Sequence, residues 1–312
     1  MTNVLTSSLI GEKLTSLTTC SSKEVILVAP FIKVTVLNSI ISSIPSKTLI
    51  HCVTRWKPDE IAIGISDIEV WPLLQSRGNA ILQLHPYLHA KYYRFDNSCI
   101  VSSANLTQTA LAWSTNFNIE LGIQVEFNAD LEEFERKLFD QSTVVDESIY
   151  ITMSNSVEAV KRENIMFVTD SSSDTLLNSI RKYWFPKLRY PQDLYSIYLG
   201  NTENILDSSV SLGQSDLNNF SVPTGLSECA FNSFIASMLV QQPIVKKIDG
   251  FLDKPKRFGE MRDFVVRVLE GERELINSTS LWQTIMRWLL FFLPERYMIK
   301  TPNYSEIIYK IK

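Results

Sequence analysis

The sequence predicts an α/β protein: a sandwich around a mixed central sheet in the first half, followed by a mainly helical C-terminal region. Three observations predict it. Short apolar runs rich in β-branched residues alternate with helical patterns as far as residue 126. Two strand-like runs, "HAKYYRFD" and "SCIVSS", meet at a tight Asp96-Asn97 turn. The last 90 residues turn helical and end in a strand-like pair.

Taken in order, "EVILVAP" (24–30) and "TLIHCVT" (48–54) read as buried strands, with "VLNSIISSI" between them as a short helix. "SDIEVWPLLQSRGN" is read as a helix capped by Ser66 and stopped at Gly78, with Pro72 kinking it or confining it to one side. "AILQLHP", "HAKYYRFD" and "SCIVSS" follow as strands, "LTQTALAW" as a helix, and "IELGIQVE" (119–126) as a further strand. "NADLEEFERKLFDQS" (128–142) is an amphipathic acidic helix. "STVVDESIYITMSNS" then lacks a helical period, which places a soft boundary near residue 150 and divides the chain into 1–150 and 151–312.

Beyond that boundary "SDTLLNSIRKYWF" reads as a helix capped by Ser173 or Asp174, with Pro186 after it. "LSECAFNSFIASMLV" is capped by Ser227, "FGEMRDFVVRVLEG" ends at Gly271, and "LWQTIMRWLLFFL" is a third, apolar helix. "RYMIKTPNYSEIIYKIK" reads as two strands around a Thr-Pro-Asn turn. Three helices and a β-ribbon suit a winged-helix module; a helical subdomain is the alternative.

The totals exclude some classes. With 45% apolar and 21% charged residues, the 312-residue chain is an ordinary globular protein. A net charge of −4 is unlike a uniformly basic nucleic-acid binder, although only the field in a binding groove matters there. The four cysteines form no CxxC pair, and Cys52 and Cys99 lie in apolar runs, so a reducing compartment fits. The N-terminus lacks the basic and apolar regions of a signal peptide, and residues 281–294 are too short to span a bilayer. These readings lead to a cytoplasmic protein with no membrane partner.

The chemistry concentrates in "LHAKYYRFDNSCIVSSANLTQ" (88–108). On a strand, His89 and Lys91 point the same way. The returning strand delivers Ser102, Ser103, Ala104 and Asn105 beside them, and the helix expected at "LTQTALA" adds free N–H groups. An imidazole, an ammonium, a hydroxyl, an amide and a helix N-terminus together favour a bound phosphate. Histidine can attack phosphorus near neutral pH, and lysine neutralises the charge that builds on the oxygens. Neither a metal nor a cofactor is required, and no carboxylate cluster offers to hold a metal. An H-x-K-x4-D match arises by chance in roughly 2% of chains this long, so the added Ser and Asn make the signal specific.

"HAKYYRFD" followed by "SSAN" resembles the HxK(x4)D…(G/S)SxN signature of the phospholipase D superfamily, and "VAPFI" and "CVTRW" extend the resemblance over roughly residues 20–126. The resemblance implies a phospholipase D-like sandwich that cleaves phosphodiesters without a metal. It implies His89 as nucleophile, Lys91 as phosphate ligand, Ser103 and Asn105 as phosphate contacts, and a mainly structural Asp96. Glu120 in "NFNIELGI" matches the carboxylate that supports the histidine. Ser102 departs from the pattern, because many members carry glycine there.

Arg55 follows a strand end, where α/β sheets bind ligands, and is a candidate second phosphate charge; pairing with Asp59 or Glu60 is the alternative. Trp56 is a candidate for stacking on a base, or a core residue. His51 and His85 start no second motif. The family's mechanism uses two histidines, so a single-motif chain implies a two-fold homodimer with His89 from both subunits in one site. Single-motif members are mostly nucleases, which points to a DNA or RNA endonuclease, with restriction or antiphage defence as its setting. Residues 246–262, "KKIDGFLDKPKRFGEMR", are candidates for backbone-phosphate contact or a solvated face. The competing readings are a phospholipase or other phosphodiesterase, and a catalytically silent dimeric nucleic-acid-binding protein.

Overall fold

The computed structural model describes residues 3–163, 183–269, 277–302 and 306–311. Strands β1 (Asn3–Thr6), β2 (Glu24–Val28), β3 (Leu49–Thr54), β4 (Ala80–Leu84), β5 (Lys91–Phe95), β6 (Ser98–Ser102), β7 (Leu121–Glu126) and β8 (Thr143–Val144) form one eight-stranded sheet in the order β1-β7-β6-β5-β2-β3-β4-β8. β2, β3 and β4 are parallel and the other pairings antiparallel, so the sheet is mixed as the sequence predicts. The helices of this half are α1 (Ser7–Thr18), α2 (Val34–Ser42), α3 (Pro58–Ala62), α4 (Val70–Arg77), α5 (Ala129–Gln141) and α6 (Glu147–Arg162). β1 and α1 carry no predicted element.

Strand alternation sets the two faces. Ile26, Val28, Val53, Tyr92 and Cys99 point to one side and pack against α5, whose Leu138 is buried among them. Each such Ile or Val contributes about 1.5–3 kcal/mol relative to an exposed side chain. Beneath α5, Arg94 pairs with Glu135 at 2.7 Å and with Glu24, and Tyr92 donates to Glu135 at 2.7 Å. Val25, Leu27, Ile50 and Cys52 are buried on the opposite face, the side of α1, α2 and α4. Arg77 closes α2 by donating to the carbonyls of Ile41, Ile44 and Pro45.

Three predicted local features are corrected. α4 begins at Val70, not at Ser66; the Ser66 hydroxyl instead lies buried and bonds Ile32 in both directions. Pro72 thus falls in the first helical turn, where a missing N–H costs nothing, and nearly all of the helix lies on its C-terminal side, the second of the two expected outcomes. The segment "LTQTALAW" is a run of turns rather than a helix. Thr107 accepts the Ala110 N–H at 3.2 Å and Ala112 sits at φ 54°, so side-chain bonding and a left-handed residue displace the helical ladder. The stretch read as lacking a helical period, 142–156, holds the first ten residues of α6. Its stripe is Ile149, Met153, Val157 and Val160, which the intervening Ser and Thr hide.

The chain divides into two units, Met1–Glu158 and Ala159–Lys312, with the division inside α6. The second unit holds α7 (Leu194–Leu199), α8 (Asp207–Phe220), α9 (Glu228–Leu239), α10 (Pro243–Phe251), α11 (Phe258–Leu269) and α12 (Ser278–Phe292). A three-stranded sheet, β9 (Lys256–Arg257), β10 (Tyr297–Lys300) and β11 (Ile307–Lys310), runs in the order β10-β11-β9. Ser227 caps α9 as predicted. The helix predicted from Ser173 and the stop at Gly271 fall largely or wholly outside the described residues. α12 is the core of this unit: Trp282, Ile285, Trp288, Leu289 and Phe292 are buried, and the Trp288 indole donates to the Leu188 carbonyl at 2.7 Å. Among the described residues no helix is long and apolar enough to cross a membrane.

Candidate active site

Register brings the predicted residues to one end of the large sheet. β5 runs antiparallel to β2 and β6, so Lys91 at its start lies opposite Ser102 at the end of β6, next to the end of β2. β7 returns beside β6 with Gly122 opposite Ser102, which puts Glu120 at the same end. Arg55 follows β3 there too, and residues 31–33 bridge to Leu106 in the loop after β6.

His89 lies just before β5 rather than within it, and it is exposed. His89, Lys91, Ser102 and Ser103 line a cavity of about 440 Å³ whose other wall is apolar: Tyr92, Val101, Leu131 and Phe134. Among the described residues the His89 imidazole makes no hydrogen bond. Among the described residues the Lys91 ammonium donates to the His89 carbonyl alone, at 2.8 Å, which leaves two of its three N–H donors for a ligand. Lys91, then partial burial and Arg55, hold the His89 imidazole below the ordinary histidine value. Burial first, and Arg55 second, lower Lys91 as well, with Glu120 opposing them.

The flanking groups are linked to one another. Ser103 donates its hydroxyl to Glu120 and accepts the Leu121 N–H at 3.0 Å. The Asn118 amide donates to the other Glu120 oxygen at 3.1 Å. Asn105 accepts the Phe31 N–H at 3.4 Å, and the Arg55 guanidinium lies 5.2 Å from the Phe31 ring centroid. Arg55 is bound through two nitrogens to Glu60 and donates to the Leu88 carbonyl at 3.4 Å, directly before His89. The expected pairing of Arg55 with an acidic neighbour therefore holds, on a half-buried side chain that still acts on His89 and Lys91 through its charge. Lys33 is taken up by Asp67 and the Gly64 carbonyl.

Two expected residues stand apart. Asp96 is five residues along β5 from Lys91, about 17 Å at the rise of an antiparallel strand. There it accepts the N–H groups of Ser22, Lys23 and Glu24 at 2.8–3.0 Å and starts β2. The Glu120 carboxylate reaches Ser103 and Asn118; among the described residues it makes no bond to His89, whose ring stands outside the strand. The helix N-terminus expected after Asn105 is absent, as the turn at Thr107 describes. Trp56 is fully buried and offers no ring to a base. Phe31 and Gly122 are additions: Phe31 joins Asn105 to Arg55, and Gly122 makes room for Ser102. A Cβ at 122 would come within 2.8 Å of the Ser102 Cβ, so glycine at 122 makes room for serine at 102.

In the basic run at 246–262 two cations meet carboxylates within the fold, and one of the run's own carboxylates is taken by cations from elsewhere. Lys256 lies 3.5 Å from Asp253, Arg262 is 2.7 Å from Asp263, and Asp249 binds Arg296 and Lys310. Among the described residues no group of three or more His, Cys, Asp or Glu could hold a metal ion.

No protein-family profile matches the chain, and no curated protein sequence matches it. Solved structures are similar in part. NucT from Helicobacter pylori is 13% identical, covers 46% of this chain and 99% of its own, and superposes with a TM-score of 0.38. A phospholipase D family member, Nuc from Salmonella typhimurium, is 14% identical over 47% of this chain and 99% of its own, at 0.39. Phosphatidylserine synthase from Haemophilus influenzae is 12% identical over 52% of this chain and 43% of its own, at 0.40.

Proposed function

We propose that this chain is a phosphodiesterase of phospholipase D type that cuts nucleic acid, DNA first, as a metal-independent endonuclease. One observation carries the reading: His89, Lys91 and Ser103 line one cavity, with the His89 imidazole unengaged and held toward its neutral form. A neutral ring nitrogen attacks phosphorus while Lys91 binds the non-bridging oxygens. The P–O bond to the leaving oxygen breaks as that oxygen takes a proton, leaving a phosphohistidine. Water then attacks phosphorus, passing a proton to the group that protonated the leaving oxygen, and the P–N bond breaks to free the imidazole. Asn105 and Arg55 flank the phosphate, and Glu120 supplies a counter-charge through Ser103.

The leaving oxygen needs a proton donor, and His89 is the only histidine among the residues lining the cavity. A second copy supplies it from its own His89, on a two-fold axis. An apolar row supports this. Val4 pairs with Ile123 and Ile123 with Val101, so the three stand in line across β1, β7 and β6. They are 64%, 38% and 38% exposed, and Val101 also lines the His89 cavity. A second copy seated on this row would bring its His89 to the same cavity.

The apolar wall of Val101, Leu131 and Phe134 is the observation that favours a lipid phosphodiester instead. Supercoiled plasmid and phosphatidylcholine vesicles, each incubated with the protein in excess EDTA, separate the readings. Nicking is the expected result. Choline release without nicking establishes the lipid reading, and a gel shift of DNA with neither product leaves a silent binder. A defence role belongs to the same proposal and is tested by phage plaque counts with the His89→Ala variant as control.

A further inference from the structure

The small sheet of the second unit has two unlike faces. Its register puts Tyr297, Ile299, Ile308, Lys310 and Lys256 on one side. Tyr297 and Ile308 there are buried, and both cations are neutralised, Lys310 by Asp249 at 3.3 Å and Lys256 by Asp253 at 3.5 Å. The other side carries Arg257, Ile307 and Lys300 in one row across the three strands, with Tyr309 and Met298 in the next. Arg257, Lys300 and Met298 are exposed.

Neither cation of this open face has a carboxylate partner among the described residues. Glu260 accepts the backbone N–H of Arg257 at 2.8 Å, not its guanidinium. The Lys300 ammonium lies 5.4 Å from the Tyr309 ring centroid, and the Tyr309 hydroxyl donates to the Met298 sulfur at 2.7 Å. The fold thus neutralises the cations it turns inward and leaves the outward pair without carboxylates on either side of β11, whose Tyr309 ring stands in the next row. Across two strand spacings the pair is about 10 Å apart at the backbone.

Resting on the nuclease reading above, we infer that this sheet face binds a single strand of the nucleic-acid substrate, Arg257 and Lys300 meeting phosphates and Tyr309 stacking on a base. Cations interleaved with an aromatic are the chemistry of single-strand binding, since every base offers a π-face and every linkage a charge. A duplex is the poorer fit. α10, α11 and α12 followed by the β10–β11 ribbon have the order of a winged helix, yet α12, the helix that would enter a groove, turns Trp282, Ile285, Trp288 and Leu289 into the core and leaves Phe291 as its exposed large side chain. The open sheet face is where the cations without carboxylate partners stand.

The test measures binding of a fluorescent 20-nucleotide single strand to the full chain carrying His89→Ala, so that nothing is cut. Adding Arg257→Gln, Lys300→Gln and Tyr309→Ala together is expected to weaken binding at least tenfold. The slope of log affinity against log salt should flatten by about 1.4, two phosphate contacts' worth. Each charge substitution alone should flatten it by about 0.7, which covers a triple variant that fails to fold. Tyr309→Phe, which keeps the ring, should bind as the parent does. If the chain with His89 intact nicks plasmid but the triple and single variants bind the strand with parental affinity and slope, the face is wrong and the nuclease reading stands. If that chain neither nicks plasmid nor binds the strand, the nuclease reading falls and this assignment with it.

Discussion

Ser103 gives its one hydroxyl proton to Glu120, so in this state Ser103 has no donor left for a phosphate oxygen. Substrate must therefore turn that hydroxyl, against a carboxylate that repels the incoming anion. Glu120→Gln removes the repulsion and the counter-charge for Lys91 and for the imidazolium that forms on His89. The expected result is a lower KM for nucleic acid with kcat down about tenfold, a barrier from the bound complex higher by about 1.4 kcal/mol. Unchanged kcat in steady-state cleavage assays would restrict Glu120 to holding the Ser103 loop.

The protonation of His89 sets the acid side of the rate profile. Its neutral form attacks, and Lys91, partial burial and Arg55 all lower its pKa. Lowering the pKa keeps the ring neutral to a lower pH, so the acid limb should fall below the unperturbed value of about 6.5. Proton NMR of the ring of His89 should show the same midpoint. Lys91→Met removes the largest cause, and the NMR midpoint should then move up toward 6.5. A midpoint indifferent to Lys91 contradicts the charge coupling.

Much of this site was legible in the residues because it depends on strand register. Lys91 opposite Ser102 follows from a period of two and one tight turn, with His89 just before the one strand and Ser103 just after the other, and the buried runs of β2 and β3 follow from their β-branched composition. What stayed hidden depends on partners distant in sequence. Nothing in "LTQTALAW" signals that the Thr107 hydroxyl and a left-handed Ala112 replace a helix. The α6 stripe was interrupted by Ser and Thr, and β1 pairs with a strand more than a hundred residues away. The bond from Ser103 to Glu120 could not be read from spacing, which fixes position but not which donor a carboxylate takes.

Asp96 should matter to stability and not to turnover. Burial alone would raise its pKa, but three backbone N–H bonds outweigh it and hold the carboxyl below its usual range. A depressed folded pKa means that this contribution is present above the unfolded value, about 3.9, and is lost as pH falls through the folded one. Asp96→Ala removes the acceptor for the first turns of β2 and should cost about 1–2 kcal/mol in urea unfolding at pH 7. The loss should shrink as the pH is taken below 3.9, and kcat of the folded variant should match the parent. A kcat loss in a protein of parental stability would instead place Asp96 in the reaction.

The strongest local test of the register is the contact between Ser102 and Gly122. They face each other across β6 and β7, and a methyl group at 122 would stand 2.8 Å from the Ser102 Cβ and 3.1 Å from the Val101 carbonyl oxygen. Neither neighbour can swing aside, since one is a Cβ on a paired strand and the other is backbone. Gly122→Ala should therefore destabilise the chain by about 1–3 kcal/mol, the usual cost of overpacking. Ser102→Gly alone removes the acceptor that the Ala104 N–H reaches at 3.2 Å and should cost about 0.5–1.5 kcal/mol. Combined, the two changes relieve the clash, so the double variant should be more stable than the sum of the singles, short of full recovery because the Val101 carbonyl stays. Urea midpoints for the four proteins give that coupling directly. Strict additivity would mean that β6 and β7 do not pair in this register, and the placement of Glu120 beside Ser103 would fall with it.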